Sequence, residues 1–282
     1  MIAQPGTLYI VATPLGHLGD LSPRAAETLR TVDFIAAEDT RVTSKLLNHL
    51  GVKKKIVSYY QHNMRESGAA IIDRIAAGED CALCADAGTP AISDPGELLV
   101  KAAIETGITV VPVPGPCAAV AALCASGLAA GRFCFEGFLP MARKRRAERL
   151  AALRGETRTL IFYEAPHKLV NTLRDLLAAW GDRELSMARE LTKIHEEIIK
   201  TTLSEALALY AAREPKGEYV LIVAGCPKTK PPETGDGEAL AIIEAFAAQG
   251  LPLGEACRQA AEQCGRKRSD LYRLALQNRE EK

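Results

Sequence analysis

Strand-length apolar runs alternate with helix-period patterns along most of this chain, and that alternation constrains the fold more than any other feature. "TLYIVA" precedes "PRAAETLRTV", "DFIAAE" precedes "VTSKLLNHL", "KIVSYY" precedes "ESGAAIIDRIAAG", "CALCAD" precedes "GELLVKAAIETG", and "ITVVPV" precedes "AAVAALCASG". Repeated β-α steps specify an α/β layer structure, because each helix returns the chain to start a neighbouring strand. The runs are almost continuously apolar, so helices should cover both sheet faces. The rhythm pauses at Gly127 to Gly131 and resumes with "FCFEGF", "TLIFYE", "LSMARE" and "EYVLIVAG", separated by helical patterns. The expected organisation is a first α/β domain over residues 1–127 and a second over 128–225. A Pro- and Gly-rich linker over 226–236 and a small helical tail over 237–282 follow. In the tail, three helical patterns are divided by "QGLP" and "GRKR", and the last two have helix-turn-helix spacing.

Ligands of open α/β sheets settle at the carboxyl ends of strands, so the loops leaving each strand are the place to look. "ATPLGHLGDLS" follows the first strand, "DAGTPAISDPG" the fourth and "PGPCAA" the fifth. Pro and Gly fix or free so many dihedrals there that main-chain groups must be held facing something. Neither dinucleotide nor P-loop spacing is present. One Gly-Pro loop is ordinarily a turn; three converging on one sheet edge imply a ligand gripped through main-chain atoms.

Lys plus Arg equal Asp plus Glu at 35 each, so any basic footprint must be local. Two such runs exist, "ARKRRAERL" with Arg143, Lys144, Arg145, Arg146 and Arg149, and "GRKRSDLYR" with Arg266, Lys267, Arg268 and Arg273. A single charge run is usually a solvated helix face. Two of them, one at the start of a helical pattern in the second domain and one on the tail, point to phosphate contact, which positions a nucleic acid without reading its bases. The start of the chain has no basic segment leading into a long apolar one, and the most apolar window is broken by Ser126 and Gly127. The expectation is a cytoplasmic protein with no membrane partner. Eight cysteines lie mostly inside apolar runs, as reduced thiols do, and Cys81 and Cys84 fall on opposite faces of a strand, which disfavours metal or redox use.

Eight ordered blocks carry a family resemblance: "GTLYIVATPLGHLGDLSPRAAETL", "IAAEDTR", "DAGTPAISDPG", "VPGPCAAVAAL", "RFCFEGFLP", "TRTLIFYEAPHKL", "ARELTKIHEE" and "PKGEYVLIVAG". Together they resemble the 16S ribosomal RNA 2'-O-ribose methyltransferase I family of the tetrapyrrole-methylase superfamily, from about residue 6 to residue 225, and the tail resembles that family's helix-turn-helix appendage. The resemblance implies two α/β domains of the tetrapyrrole-methylase type with S-adenosylmethionine between them, no metal, and a homodimer. The implied substrate is a cytidine ribose in the decoding region of 16S rRNA, within the small ribosomal subunit.

By the same resemblance Pro14, Thr89, Ile92, Cys117 and Ala118 lie in the three cofactor loops, while Tyr163 and Ala188 close the pocket from the second domain. Ile92, Ala118 and Ala188 would otherwise be ordinary core residues. His17 and Cys117 stand where the family usually has Asn and Ser, and a thiol is the poorer donor. A ribose hydroxyl is weakly acidic, so a base or a cation should assist its attack. Glu164, His167 and Arg189 are the leading catalytic group, although His167 could be an exposed first-turn residue and Arg189 half of an ion pair with Glu190. Lys193 lies one turn on. Asp20, Glu38, Asp39 and Arg41 are substrate-side candidates, with Asp39 or Thr40 also a plausible helix cap. The competing functions are methylation of a tetrapyrrole or other small molecule, and a non-catalytic rRNA assembly role.

Overall fold

The computed structural model describes residues 4–227 and 234–280. Residues 228–233, in the expected linker, lie outside the described residues. Two compact units result, Met1–Cys226 and Pro227–Lys282.

The first unit contains two five-stranded sheets. Strands β1 (Thr7–Val11), β2 (Phe34–Ala37), β3 (Lys55–Ser58), β4 (Cys81–Cys84) and β5 (Thr109–Val113) form a wholly parallel sheet of order β3-β2-β4-β1-β5. The strand pleat sorts its residues. Leu8, Ile10, Phe34, Ala36, Cys81 and Leu83 pack on helices α3 (Met64–Ala76) and α4 (Gly96–Glu105). Val11, Ile35, Ala37, Ala82 and Cys84 face α1 (Pro23–Thr31) and α2 (Thr40–His49) on the other side. Both faces are therefore buried along the inner strands β2 and β4, as their unbroken apolar runs required, while the edge strands β3 and β5 stay partly exposed. Cys81 and Cys84 fall on opposite faces, and burial pushes the Cys84 thiol up to about 12. Helix starts follow local chemistry: Ser22 caps α1 by accepting the Ala25 N–H at 3.1 Å ahead of Pro23, and Asp39 caps α2 by accepting the Arg41 N–H at 2.8 Å.

Helix α5 (Ala118–Ser126) leaves the first sheet and serves the second. Its Ala119, Ala122 and Leu123 are buried against Ile161, Ala188, Val220 and Ile222. Although α5 precedes the expected division at residue 127, its apolar contacts lie beyond it. The second sheet comprises β6 (Phe133–Gly137), β7 (Thr159–Glu164), β8 (Glu184–Arg189), β9 (Glu197–Thr202) and β10 (Tyr219–Val223), in the order β6-β7-β10-β8-β9. Only β6 and β7 pair in parallel; the other pairs are antiparallel. Its second face is covered by α6 (Arg143–Leu153), α7 (Pro166–Trp180) and α8 (Leu203–Ala212) through a leucine-rich core. A capping box between Thr202 and Glu205 starts α8.

The second unit consists of α9 (Asp236–Ala248), α10 (Leu253–Cys264) and α11 (Arg268–Glu280), with Ala239, Ile243, Ala256, Cys257, Ala260, Cys264 and Leu271 as its core. Gly265, at φ +67°, ends α10 in the left-handed conformation and makes the tight turn into α11. Among the described residues, no helix is long and apolar enough to cross a membrane.

Candidate functional site

The three Pro- and Gly-rich loops meet at the carboxyl edge of the parallel sheet and bind one another. Thr13, in the loop after β1, exchanges backbone hydrogen bonds with Gly88 in the loop after β4, at 2.9 and 3.0 Å. The Thr89 hydroxyl donates to the Pro116 carbonyl at 2.9 Å, which brings in the loop after β5. At Gly115 an added Cβ would stand 2.9 Å from the Ala12 Cβ, so only glycine permits that approach. Within the segment 86–96, Ala91 and Ser93 hold φ of +66° and +64°, a region that costs L-residues free energy. Asp94 stabilises that path: its Oδ1 accepts the N–H groups of Ala91 at 2.9 Å and Gly96 at 2.7 Å. The dense backbone restraint of this segment thus maintains a cradle of aimed main-chain groups.

The second sheet supplies the facing wall of a cleft of about 550 Å³, a size suited to a cofactor. Strand register decides which side chains reach it. Tyr163 of β7 and Ala188 of β8 flank Val220 of β10 in one lateral row, on the face of α5 and the cleft. Glu164, Tyr219 and Arg189 form the next row, which the pleat turns to the α6–α8 face. Glu164 and Tyr219 still reach the cleft at the sheet end. Arg189 does not line it. Its guanidinium donates to Glu197 at 3.0 Å and to the Lys216 carbonyl at 3.4 Å, so it ties neighbouring elements on the far face.

Thr89, Ile92, Cys117, Ala118, Tyr163, Glu164, His167 and Ala188 all line the one cleft. Leu15 lines it in place of its neighbour Pro14. The Tyr163 hydroxyl accepts the Ala119 N–H at 3.1 Å, and burial, then the nearby Cys117 thiol, raises its pKa to about 12. The His17 ring Nδ1 accepts the Gly19 N–H, while the His17 backbone N–H donates to the Thr192 hydroxyl of the second domain at 3.2 Å. Of the first-domain acids and Arg41 considered from the sequence, only Glu38 lines the cleft; Asp39 pairs with Arg41 at 2.6 Å, and Asp20 sits in the short turn before α1.

The cleft is rich in carboxylates. Burial raises the pKa of Glu38, with Asp86 and Asp94 adding repulsion, and burial likewise raises Asp86 and Asp94. Asp94 Oδ2 is buried without a hydrogen-bond partner among the described residues. Lys193 is already held by Glu190 and Glu218, each at 2.9 Å. Such a lining favours a ligand that brings positive charge with it. Asp86, Asp94, Phe138 and Tyr219 were not assigned from sequence; the two acids stand in the loop that drew notice, whereas the aromatic positions depend on register and show no local signal.

On α6 the basic run divides. Arg143, Lys144 and Arg145 are exposed with no ion pair to any described residue. Arg146 turns inward to Asp175 at 2.6 Å and to Thr172 at 2.8 Å, and Arg149 pairs with Glu136 at 2.6 Å. In the separate helical unit, Lys267 and Arg268 are exposed, while Arg266 reaches Asp236 at 2.5 Å.

Comparison with known proteins agrees with this architecture. The methyltransferase CobJ superposes with a TM-score of 0.61 at 18% identity, over 82% of this chain and 97% of that one. A uroporphyrin-III C-methyltransferase from Thermus thermophilus, complexed with S-adenosyl homocysteine, gives 0.56 at 18% identity, over 77% and 97%. The family model for tetrapyrrole (corrin/porphyrin) methylases matches residues 7–207, and one for the RsmI C-terminal HTH domain matches residues 233–279. Curated relatives called ribosomal RNA small subunit methyltransferase I are 46% identical over 273 residues in Synechocystis sp., covering 96% of this chain and 98% of the relative, and 47% identical over 275 residues in Pseudomonas aeruginosa, covering 96% and 97%. The chain belongs to the tetrapyrrole methylase family and, within it, to the ribosomal RNA small subunit methyltransferase I group.

Proposed function

We propose that this protein transfers a methyl group from S-adenosylmethionine to RNA of the small ribosomal subunit, at the 2'-hydroxyl of a cytidine ribose in the decoding region. The observation that carries the reading is the cleft itself, a main-chain cradle with a carboxylate-rich lining whose one lysine is already paired. The names of the relatives support the RNA acceptor, and exposed Arg143, Lys144 and Arg145 at the start of α6 support a phosphate-facing surface.

When bound, the donor supplies an electrophilic methyl carbon on a sulfonium centre. The chain's residues fit such a molecule: Thr89, Ile92, Cys117 and Ala118 with the surrounding amides would hold its body, with Tyr163 and Ala188 closing over it. Glu38, Asp86 and Asp94 would compensate its positive charge, and the unpartnered Asp94 Oδ2 can accept a hydrogen bond. The cleft walls would have to hold the acceptor oxygen at reacting distance and in line, which is the main task of a methyl-transferring site. The Glu164 carboxylate and the His167 imidazole are the cleft groups we assign to receive the proton shed by the hydroxyl. The assembly we propose is a homodimer, which sedimentation equilibrium tests.

Purified protein is incubated with radiolabelled S-adenosylmethionine and small subunits, naked rRNA or uroporphyrinogen, and the label is mapped. Ribose label at one cytidine of the subunit RNA is the expected result. Label on the macrocycle would overturn the acceptor, and donor binding with no transfer to any substrate would overturn the activity.

A further inference from the structure

Glu164 is the most deeply buried acid on the cleft wall, 4% exposed, and its carboxylate is held from behind. One oxygen accepts the Ala165 N–H at 2.9 Å, at the start of α7. The other accepts the hydroxyl proton of Thr172, two turns along α7 and fully buried. A threonine hydroxyl has one proton, and its direction is decided by what else touches the oxygen. Here that neighbour is Arg146 of α6, whose Nη2 lies 2.8 Å away, and a guanidinium can only donate. The Thr172 hydroxyl must therefore accept from Arg146 and donate to Glu164. Arg146 is in turn fixed by Asp175, whose carboxylate takes its Nε–H at 2.6 Å. The result is a directed donor chain, Arg146 to Thr172 to Glu164, with Arg146 anchored by its second donation to Asp175, running from the rear of the second sheet into the cleft.

We propose that Arg146 is a positioning residue that acts through Thr172 to fix the Glu164 carboxylate in the cleft, and is not one of the phosphate-contacting residues of the basic run. The inference rests on the reading of the cleft as the reaction centre. It divides "RKRR" by function: Arg143, Lys144 and Arg145 are exposed, and Arg146 turns inward to Asp175 and Thr172 of α7. Planar bidentate donation explains arginine at 146, since a lysine there cannot serve Asp175 and Thr172 in the same fixed fork.

The test compares Thr172→Val, Thr172→Ser, Arg146→Ala and Arg143→Ala in the full-length protein, with three readouts. In methyl transfer to small subunits, Thr172→Val and Arg146→Ala should lower kcat at least tenfold while KM for both substrates stays within twofold, and Thr172→Ser should restore kcat to within threefold. In rRNA binding at several salt concentrations, Arg143→Ala should reduce the log–log salt slope by about 0.7–0.9, one phosphate contact, and Arg146→Ala should leave it unchanged. In a crystal structure of Thr172→Val, which preserves side-chain shape, the Glu164 carboxylate should leave its wild-type position. Wild-type kcat in Thr172→Val, a reduced salt slope in Arg146→Ala, or an unmoved Glu164 would each overturn the relay. If the wild-type protein transfers no methyl group, the functional reading fails, while the Glu164 position still decides the relay.

Discussion

The Tyr163 hydroxyl accepts the backbone N–H of Ala119 at 3.1 Å, joining β7 to the first turn of the helix that follows the third cofactor loop. That N–H belongs to the opening turn of α5, where it has no intrahelical acceptor. The phenol therefore completes the helix start and closes the cleft wall at once, supported by edge-to-face contacts with Phe135 at 5.0 Å and Phe138 at 5.7 Å. Tyr163→Phe keeps the ring and removes the acceptor. The expected cost is about 1–2 kcal/mol of stability, measured by urea denaturation, with several-fold weaker S-adenosylmethionine binding by calorimetry. Unchanged values in both would show that the bond organises nothing.

Gly115 tests the cradle from the opposite side. The atom facing its missing side chain is the Ala12 Cβ, attached directly to backbone and unable to swing aside. Gly115→Ala must displace the loop after β5 from the loop after β1. A loss of about 1–3 kcal/mol is expected, as for other overpacked sites, together with loss of donor affinity at least as large as that of Tyr163→Phe. Full affinity in a stable Gly115→Ala protein would exclude a ligand held at that seam.

How far the sequence revealed this site depended on how local each signal was. Continuous apolar runs, the helical pattern from Pro23 and the cap candidate Asp39 announce β1, β2, α1 and α2 because the cause lies within a few residues. Strand β9 escaped notice: "EIIKTT" mixes charge with apolar residues because it is a sheet edge beside β8. The orientation of Arg189 was illegible for another reason, since its face is fixed by pairing with Tyr219 of β10, thirty residues on in the chain. Arg146 likewise looks identical to its basic neighbours until α7 supplies Thr172 and Asp175. The three loops were legible as a ligand cradle because Pro and Gly declare backbone demands without reference to partners.

The cleft carboxylates should act on stability in the opposite sense to the ion-paired acids elsewhere in the chain. Partial desolvation at the cleft raises the half-exposed Asp86 above its ordinary 3.8, so between 3.8 and its folded value the native state binds more protons than the unfolded one. Stability therefore falls as pH rises through that window, and the full cost persists above it. Asp86→Asn removes the cost and keeps an oxygen for the Asp39 N–H, now 2.9 Å away. The variant should resist denaturant better than wild type at pH 7, with the difference closing as pH falls towards 3.8. Donor affinity at pH 7 should drop, because a carboxylate facing a cation has been lost. Equal stability at pH 7 would mean that Asp86 is not strained by its surroundings.

Arg189 provides the last discrimination, because sequence and structure point it in different directions. Its guanidinium is mostly buried and shares Glu197 with Arg213, at 3.0 and 2.8 Å respectively, so it joins β8 to the edge strand β9. Those two pairs, rather than proton handling, hold the Glu197 pKa below the ordinary value, Arg213 contributing the larger part. Arg189→Ala leaves Glu197 with Arg213 as a partner, so the stability loss should be modest, about 1 kcal/mol, and weaker at high salt. Turnover at saturating substrates should stay within threefold of wild type, against the tenfold or larger loss expected when Thr172 or Arg146 is changed. A collapse of kcat in Arg189→Ala with the fold intact would return this arginine to the reaction and imply that the second sheet's end rearranges when RNA enters the cleft.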